Sequence, residues 1–156
     1  MKKLIITGCT GSIGLQTASV VRNLNSQGYD FKVTGLAFGS NVEKAMPLIN
    51  EFSPKMVAVA SEAAGEILKN ELSGRDITVL CGKTAAEDLC KRADYDICVN
   101  SIVGVAGLLP SHAVLEHGAD IALANKETIV TDGDNFMGKA AKLGKRVIPL
   151  DSEHSA

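Results

Sequence analysis

The sequence contains no tryptophan and only two tyrosines and four phenylalanines in 156 residues. That is too few for an aromatic-rich β-sandwich core, and it suits an α/β protein built from Val, Ile, Leu and Ala. Positive charge is not in surplus either, since 16 Lys and Arg stand against 18 Asp and Glu for a formal net charge of −2. Nucleic acid is thereby disfavoured as a partner. No apolar run approaches the ~18 residues of a membrane-spanning helix, and Met1-Lys2-Lys3 leads into a strand pattern instead of a signal-peptide core. A cytosolic protein with no membrane partner is expected. Cys9, Cys81, Cys90 and Cys98 make no Cys-x-x-Cys pair, so buried thiols are expected in place of disulfides or zinc ligands. Repeats, low-complexity linkers and long charge runs are missing as well, and nothing divides the chain internally. What remains, 46% hydrophobic and 22% charged residues, describes one globular domain able to bury a core.

The most informative stretch is Gly8-Cys9-Thr10-Gly11-Ser12-Ile13-Gly14, which follows the apolar run Leu4-Ile5-Ile6-Thr7 and opens a helical pattern. Glycines allow a tight turn and leave no Cβ where a pyrophosphate approaches, while the following helix offers free N–H groups and a positive dipole end. Thr10 and Ser12 add hydroxyl donors. Glycine-rich turns also serve only to reverse the chain, but a strand before and a helix after favour nucleotide binding.

Periodicity and turn residues then predict a helix over Thr17–Leu24, a strand over Phe31–Phe38, a helix over Val42–Phe52 and a strand over Lys55–Ala60. A helix over Glu62–Leu72, a strand over Ile77–Leu80 and a helix over Thr84–Lys91 follow. Ile97–Val99 reads as a strand, and Gly104 opens a helix to His117 that Pro110 interrupts. Ile121–Ala124 is a buried strand, Asn135–Leu143 the last helix and Arg146–Leu150 the last strand. The sum is a Rossmann-like, doubly wound, mainly parallel sheet of seven strands with helices on both faces. Residues 100–104, at a strand's carboxyl end, are expected beside the ligand.

Three further clusters carry chemistry. At the end of the second strand an NAD site would place an acidic residue for the ribose 2′-hydroxyl; Ala37-Phe38-Gly39-Ser40-Asn41 has none. Ser40 and Asn41 are donors that suit a 2′-phosphate, and they equally suit a helix cap, so NADP is favoured over NAD. Asn125-Lys126-Glu127-Thr128 sets an amide, a cation and a carboxylate at a strand-to-helix junction. Capping accounts for Asn125 and Glu127 but not for Lys126, which the helix dipole repels. Finally, in extended chain Asp151 and Glu153 point the same way, as Mg²⁺ or Mn²⁺ would require, although two acids in a polar segment are also explained by solvation.

Together, Gly8–Gly14, Ile102–Pro110, Leu123–Glu127 and Pro149-Leu150-Asp151-Ser152-Glu153-His154, at these separations, closely resemble 1-deoxy-D-xylulose 5-phosphate reductoisomerase. The resemblance implies conversion of 1-deoxy-D-xylulose 5-phosphate to 2-C-methyl-D-erythritol 4-phosphate in non-mevalonate isoprenoid synthesis, with NADPH and a divalent metal as cofactors. By motif match, Thr10, Gly11, Ser12 and Ile13 would contact the cofactor phosphates, Gly39, Ser40 and Asn41 the 2′-phosphate region, and Asn125 and Glu127 would line the cofactor. Lys126 and Ser152 would contact the phosphosugar substrate as catalytic residues. Asp151 and Glu153 would be metal ligands. Two departures stand out: the family often has a basic residue where Ser40 stands, and its substrate domain, closing loop and C-terminal helical domain do not follow. The resemblance therefore implies an NADPH-binding domain over residues 1–150, with 151–156 opening the catalytic domain, and a fragment inactive alone. For the full-length protein a homodimer is the expectation.

Two other readings compete. A stand-alone NADP-binding module needs only the glycine turn and leaves Asp151 and Glu153 idle. A short-chain dehydrogenase needs Tyr-x-x-x-Lys, yet Tyr29 and Tyr95 are followed four residues on by Val33 and Val99.

Overall fold

In the computed structural model, which describes residues 1–150, strands and helices alternate throughout the described residues. The strands are β1 (Lys2–Thr7), β2 (Phe31–Phe38), β3 (Met56–Val59), β4 (Thr78–Cys81), β5 (Ile97–Asn100), β6 (Asp120–Leu123) and β7 (Val147–Pro149). Between them lie α1 (Ser12–Ser26), α2 (Val42–Phe52), α3 (Glu62–Glu71), α4 (Ala85–Arg92), α5 (Leu108–His117) and α6 (Lys126–Leu143). All seven strands form one parallel sheet in the order β4-β3-β2-β1-β5-β6-β7. Winding proceeds outward from β1 in both directions, so the expected doubly wound architecture is the one observed.

Alternation within each strand decides which layer a residue joins. Leu4, Ile6, Leu36, Phe38, Val57 and Val59 pack with residues of α1, α2 and α3. Their neighbours Ile5, Ala37, Ala58, Cys98, Ile121 and Leu123 pack with α4, α5 and α6 on the opposite face. Over β5 and β6 the first face carries an apolar groove of about 400 Å³, bordered by Val20, Val99, Ala122 and Leu150. Cys9, Cys90 and Cys98 are buried and Cys81 is half-buried, all as free thiols. No helix among the described residues is long and apolar enough to cross a membrane.

Three helix starts differ from the sequence reading by four residues or more. α1 begins at Ser12, five residues before the predicted Thr17, because Gly14 packs its bare Cα against the backbone of Gly8 and Cys9 inside the first turn. Val105–Gly107 forms a separate 3₁₀ turn before α5. Pro110 then stands in the first turn of α5, where no N–H acceptor is needed, so it does not interrupt the helix. α6 starts at Lys126 and not at Asn135, and a non-helical residue, Asp132 (φ −144°, ψ 28°), kinks it. The weak helix formers Thr131, Asp132 and Gly133 hide that continuity in the sequence. β2 carries a bulge at Thr34, since Leu4 pairs with Val33 and Ile5 with Gly35. The Thr34 hydroxyl bonds to the carbonyl of Asp94 at 2.8 Å.

Candidate functional site

The sheet order reverses between β1 and β5, and the loops leaving their carboxyl ends diverge there to leave a crevice. It measures about 300 Å³ and is bordered by Gly8, Gly11, Phe38 and Gly39 on one side and Ser101 to Val103 on the other. Larger hollows of about 500 and 470 Å³ flank the α6 kink. They lie away from the strand ends, whereas the smaller crevice collects the predicted ligand loops.

The three glycines of the turn do different work. Gly8 has φ +74°, and a Cβ there would stand 2.7 Å from the Ser101 carbonyl carbon; Gly14 has no room because Cys9 Cα lies 2.6 Å from its would-be Cβ. Both serve close backbone approach within the protein. Gly11 has ordinary extended geometry (φ −81°, ψ 175°) as the N-cap of α1. Its would-be Cβ meets only the Gly8 carbonyl oxygen, at 3.4 Å. What Gly11 keeps clear is the space above the helix end. Among the described residues no side chain caps α1, and its first turn holds no acid, so the N–H groups of Ser12 and Ile13 and the dipole are open to an anion.

The opposite wall is held by a buried polar network that sequence reasoning missed. Thr7 Oγ1 donates to Asn100 Oδ1 at 2.8 Å, and Asn100 Nδ2 donates to Ser111 Oγ at 2.7 Å and to the Gly107 carbonyl at 3.1 Å. Ser111 Oγ lies 3.2 Å from Thr128 Oγ1. Ser101 Oγ donates to the Thr7 carbonyl at 2.7 Å, tying the loop after β5 to the end of β1. Among the described residues no buried side-chain polar atom lacks a partner. A fully satisfied network of this kind rigidifies the loop. Its only sequence signal is the polar residue ending each apolar strand, Thr7 and Asn100.

Asn125 belongs to the same scaffold. It is 3% exposed; its Nδ2 donates to the carbonyls of Ile102 (2.6 Å) and Gly104 (2.8 Å), and its Oδ1 accepts from Thr128 N and Oγ1 at 2.8 and 2.7 Å. The side chain therefore caps α6 and fastens residues 102–104. Lys126 is exposed and Glu127 half-buried at the start of that helix, beside the carboxyl end of β6. Asn41 Oδ1 accepts from Lys44 N at 2.9 Å, capping α2, while Gly39 and Ser40 are exposed where β2 ends. Cys9, next to the glycine turn, is pushed by burial up to about 12 and stays a neutral thiol. Asp151, Ser152 and Glu153 lie outside the described residues. Leu150 N, one residue earlier, donates to the Leu123 carbonyl at 2.9 Å, at the sheet edge from which Asn125–Glu127 also emerges.

A parallel sheet wound both ways from β1, with a glycine turn feeding an uncapped helix at the reversal, defines a dinucleotide-binding domain of the Rossmann type. Residues 4–133 match the family model described as 1-deoxy-D-xylulose 5-phosphate reductoisomerase, and the chain belongs to that family. It is 43% identical over 156 residues to the reductoisomerase of Chlorobaculum tepidum, covering all of this chain and 40% of that protein. A crystal structure of DOX-P reductoisomerase in complex with NADPH, fosmidomycin and magnesium is similar with a TM-score of 0.88 at 33% identity, over 100% of this chain and 38% of the other. The Zymomonas mobilis enzyme in complex with NADPH gives 0.88 at 29% identity, over 99% and 40%. The chain thus spans about 40% of the length of the curated relatives it matches.

Proposed function

We propose that this chain is the NADPH-binding part of a 1-deoxy-D-xylulose 5-phosphate reductoisomerase, an oxidoreductase of isoprenoid precursor synthesis. The observation that carries the reading is the uncapped α1 N-terminus opening through Gly11 onto the crevice at the sheet reversal. The pyrophosphate rests on the N–H groups of Ser12 and Ile13, with Thr10 adding a hydroxyl. Gly39, Ser40 and Asn41 face the adenosine 2′-phosphate, and the 101–104 loop borders the cofactor beyond it. Asn125 acts by holding that loop, and Glu127 lies at its far end. NADPH, when bound, supplies the hydride. Lys126 places positive charge where substrate oxygens would gain negative charge.

The relatives' magnesium is assigned here to Asp151 and Glu153, with Ser152 on the substrate. Among the described residues no group of three or more His, Cys, Asp or Glu could hold a metal. The fit to a hard divalent ion therefore rests on those two carboxylates. The reading carries with it a cytosolic setting and a homodimeric full-length protein, which fractionation and sedimentation test. For the nucleotide itself, fluorescence titration with NADPH is the test. Saturable binding that disappears in a folded Gly11→Val variant supports the reading, and unchanged affinity in that variant defeats it.

A further inference from the structure

One wall of the crevice is formed by a residue outside every motif discussed so far. Lys83 follows β4 and borders the same hollow as Gly39, Ala60 and Ala86. The loops that bring them together are laddered side by side. Ala60 N donates to the Phe38 carbonyl at 3.1 Å, Ser61 N to the Gly39 carbonyl at 2.9 Å and Gly82 N to the Val59 carbonyl at 3.0 Å. The ends of β2 and β4 therefore stand two strand spacings, about 10 Å, apart. Ala60, exposed after β3, lines the hollow between them, and a Cβ on Gly39 would meet nothing within 4 Å. An extended lysine stem can cross such a gap.

Lys83 is exposed and makes no ion pair or hydrogen bond among the described residues, unlike Lys3, Lys55, Lys69, Lys91 and Lys139, which all have carboxylate partners. The acids around it are not its partners: Glu62, whose Oε1 lies 2.6 Å from the would-be Cβ of Gly82, makes no pair with Lys83, while Glu87 pairs with Lys91 and Asp88 accepts from Thr84. At the β2 end the helix donors are partly spent, since Asn41 already caps α2 through Lys44 N. A phosphate there needs a cation, and among the described residues that border the crevice Lys83 is the cation.

We infer that Lys83 recognises the 2′-phosphate of the nucleotide across Ala60 and so sets the preference for NADPH over NADH. The inference rests on the proposed function and deepens it. Its role is a charge-assisted contact made to one phosphate group and to nothing else in the cofactor.

The test titrates the unsubstituted protein, Lys83→Gln, Lys83→Arg and Lys44→Gln with NADPH, NADH and 2′,5′-ADP. Thermal unfolding checks that each variant is folded, and the NADPH titrations are repeated at raised salt. Expected are a roughly tenfold or greater loss of NADPH and 2′,5′-ADP affinity in Lys83→Gln, unchanged NADH affinity, retention in Lys83→Arg, a shallower salt dependence, and little effect of Lys44→Gln. Equal loss for NADPH and NADH, no loss, or an equal loss in Lys44→Gln overturns the assignment to Lys83 while leaving nucleotide binding intact. Failure of the unsubstituted protein to bind NADPH overturns the functional reading, and this inference with it.

Discussion

At the scale of single residues, a repeated glycine motif separates into two positions that the protein's own packing requires and one that it leaves open. Gly8 and Gly14 are required by the protein's own backbone, whereas Gly11 could accept a side chain without strain in the empty protein. Gly14→Val is therefore expected to cost more than ~3 kcal/mol, as overpacking against fixed backbone does, and to lower the melting temperature sharply. Gly11→Val should melt near the parent temperature and lose NADPH binding in the same calorimetric experiment. Asn125 makes a second case. Asn125→Asp keeps the oxygen that accepts from Thr128 and removes the donors to Ile102 and Gly104. Leaving those carbonyls unpaired beside a carboxylate should cost about 1–3 kcal/mol in denaturant unfolding, with weaker NADPH binding as the 102–104 loop loosens.

At the scale of elements, the three-residue strand β7 is tied to β6 not only by its own pairing but also by the arginine before it. Arg146 N donates to Asp120 Oδ1 at 2.9 Å, and its guanidinium reaches Asp120 Oδ2 at 2.6 and 2.9 Å, joining β7 to the start of β6. Those guanidinium bonds, then the backbone N–H, hold the Asp120 carboxyl below its ordinary range. A depressed carboxylate stabilises the fold above its unfolded value near 4, and the contribution is lost as pH falls through the folded value. Asp120→Asn should therefore be less stable than the parent at pH 7, by about 1 kcal/mol because Arg146 is largely exposed. The gap should close in melting curves taken below about pH 4.

At the scale of the whole molecule, the described residues supply a crevice at the sheet reversal, a lysine at the β6 end and, at the same edge, Leu150 following β7. The family's relatives are about two and a half times as long, this chain matching 40% of them. Holding reactants in near-attack geometry contributes ~7–11 kcal/mol to a catalysed step, and closing segments add water exclusion. The 156 residues should therefore bind NADPH yet oxidise none with 1-deoxy-D-xylulose 5-phosphate and Mg²⁺ present. A chain extended to the relatives' length should consume NADPH at its near-ultraviolet absorbance and lose that activity on Glu153→Gln. Substrate-dependent turnover by the shorter chain would refute this division of labour.

The parallel sheet, its seven described strands and the glycine turn before α1 were legible in the sequence, because buried strands and glycine spacing are local patterns set by side-chain period and steric freedom. Helix starts were less legible. α1 begins inside the glycine motif and α6 passes through Asp132 because packing against the sheet outweighs weak local propensity. Only the tertiary structure decided which polar residues act together. Thr7, Asn100, Ser111, Thr128 and Asn125 are scattered over more than a hundred positions, and Lys83 is remote in sequence from the glycine turn. Parallel pairing sets the carboxyl ends of strands side by side whatever their separation along the chain, so the partners in a hydrogen bond or a cleft are fixed by strand order, which no local pattern encodes.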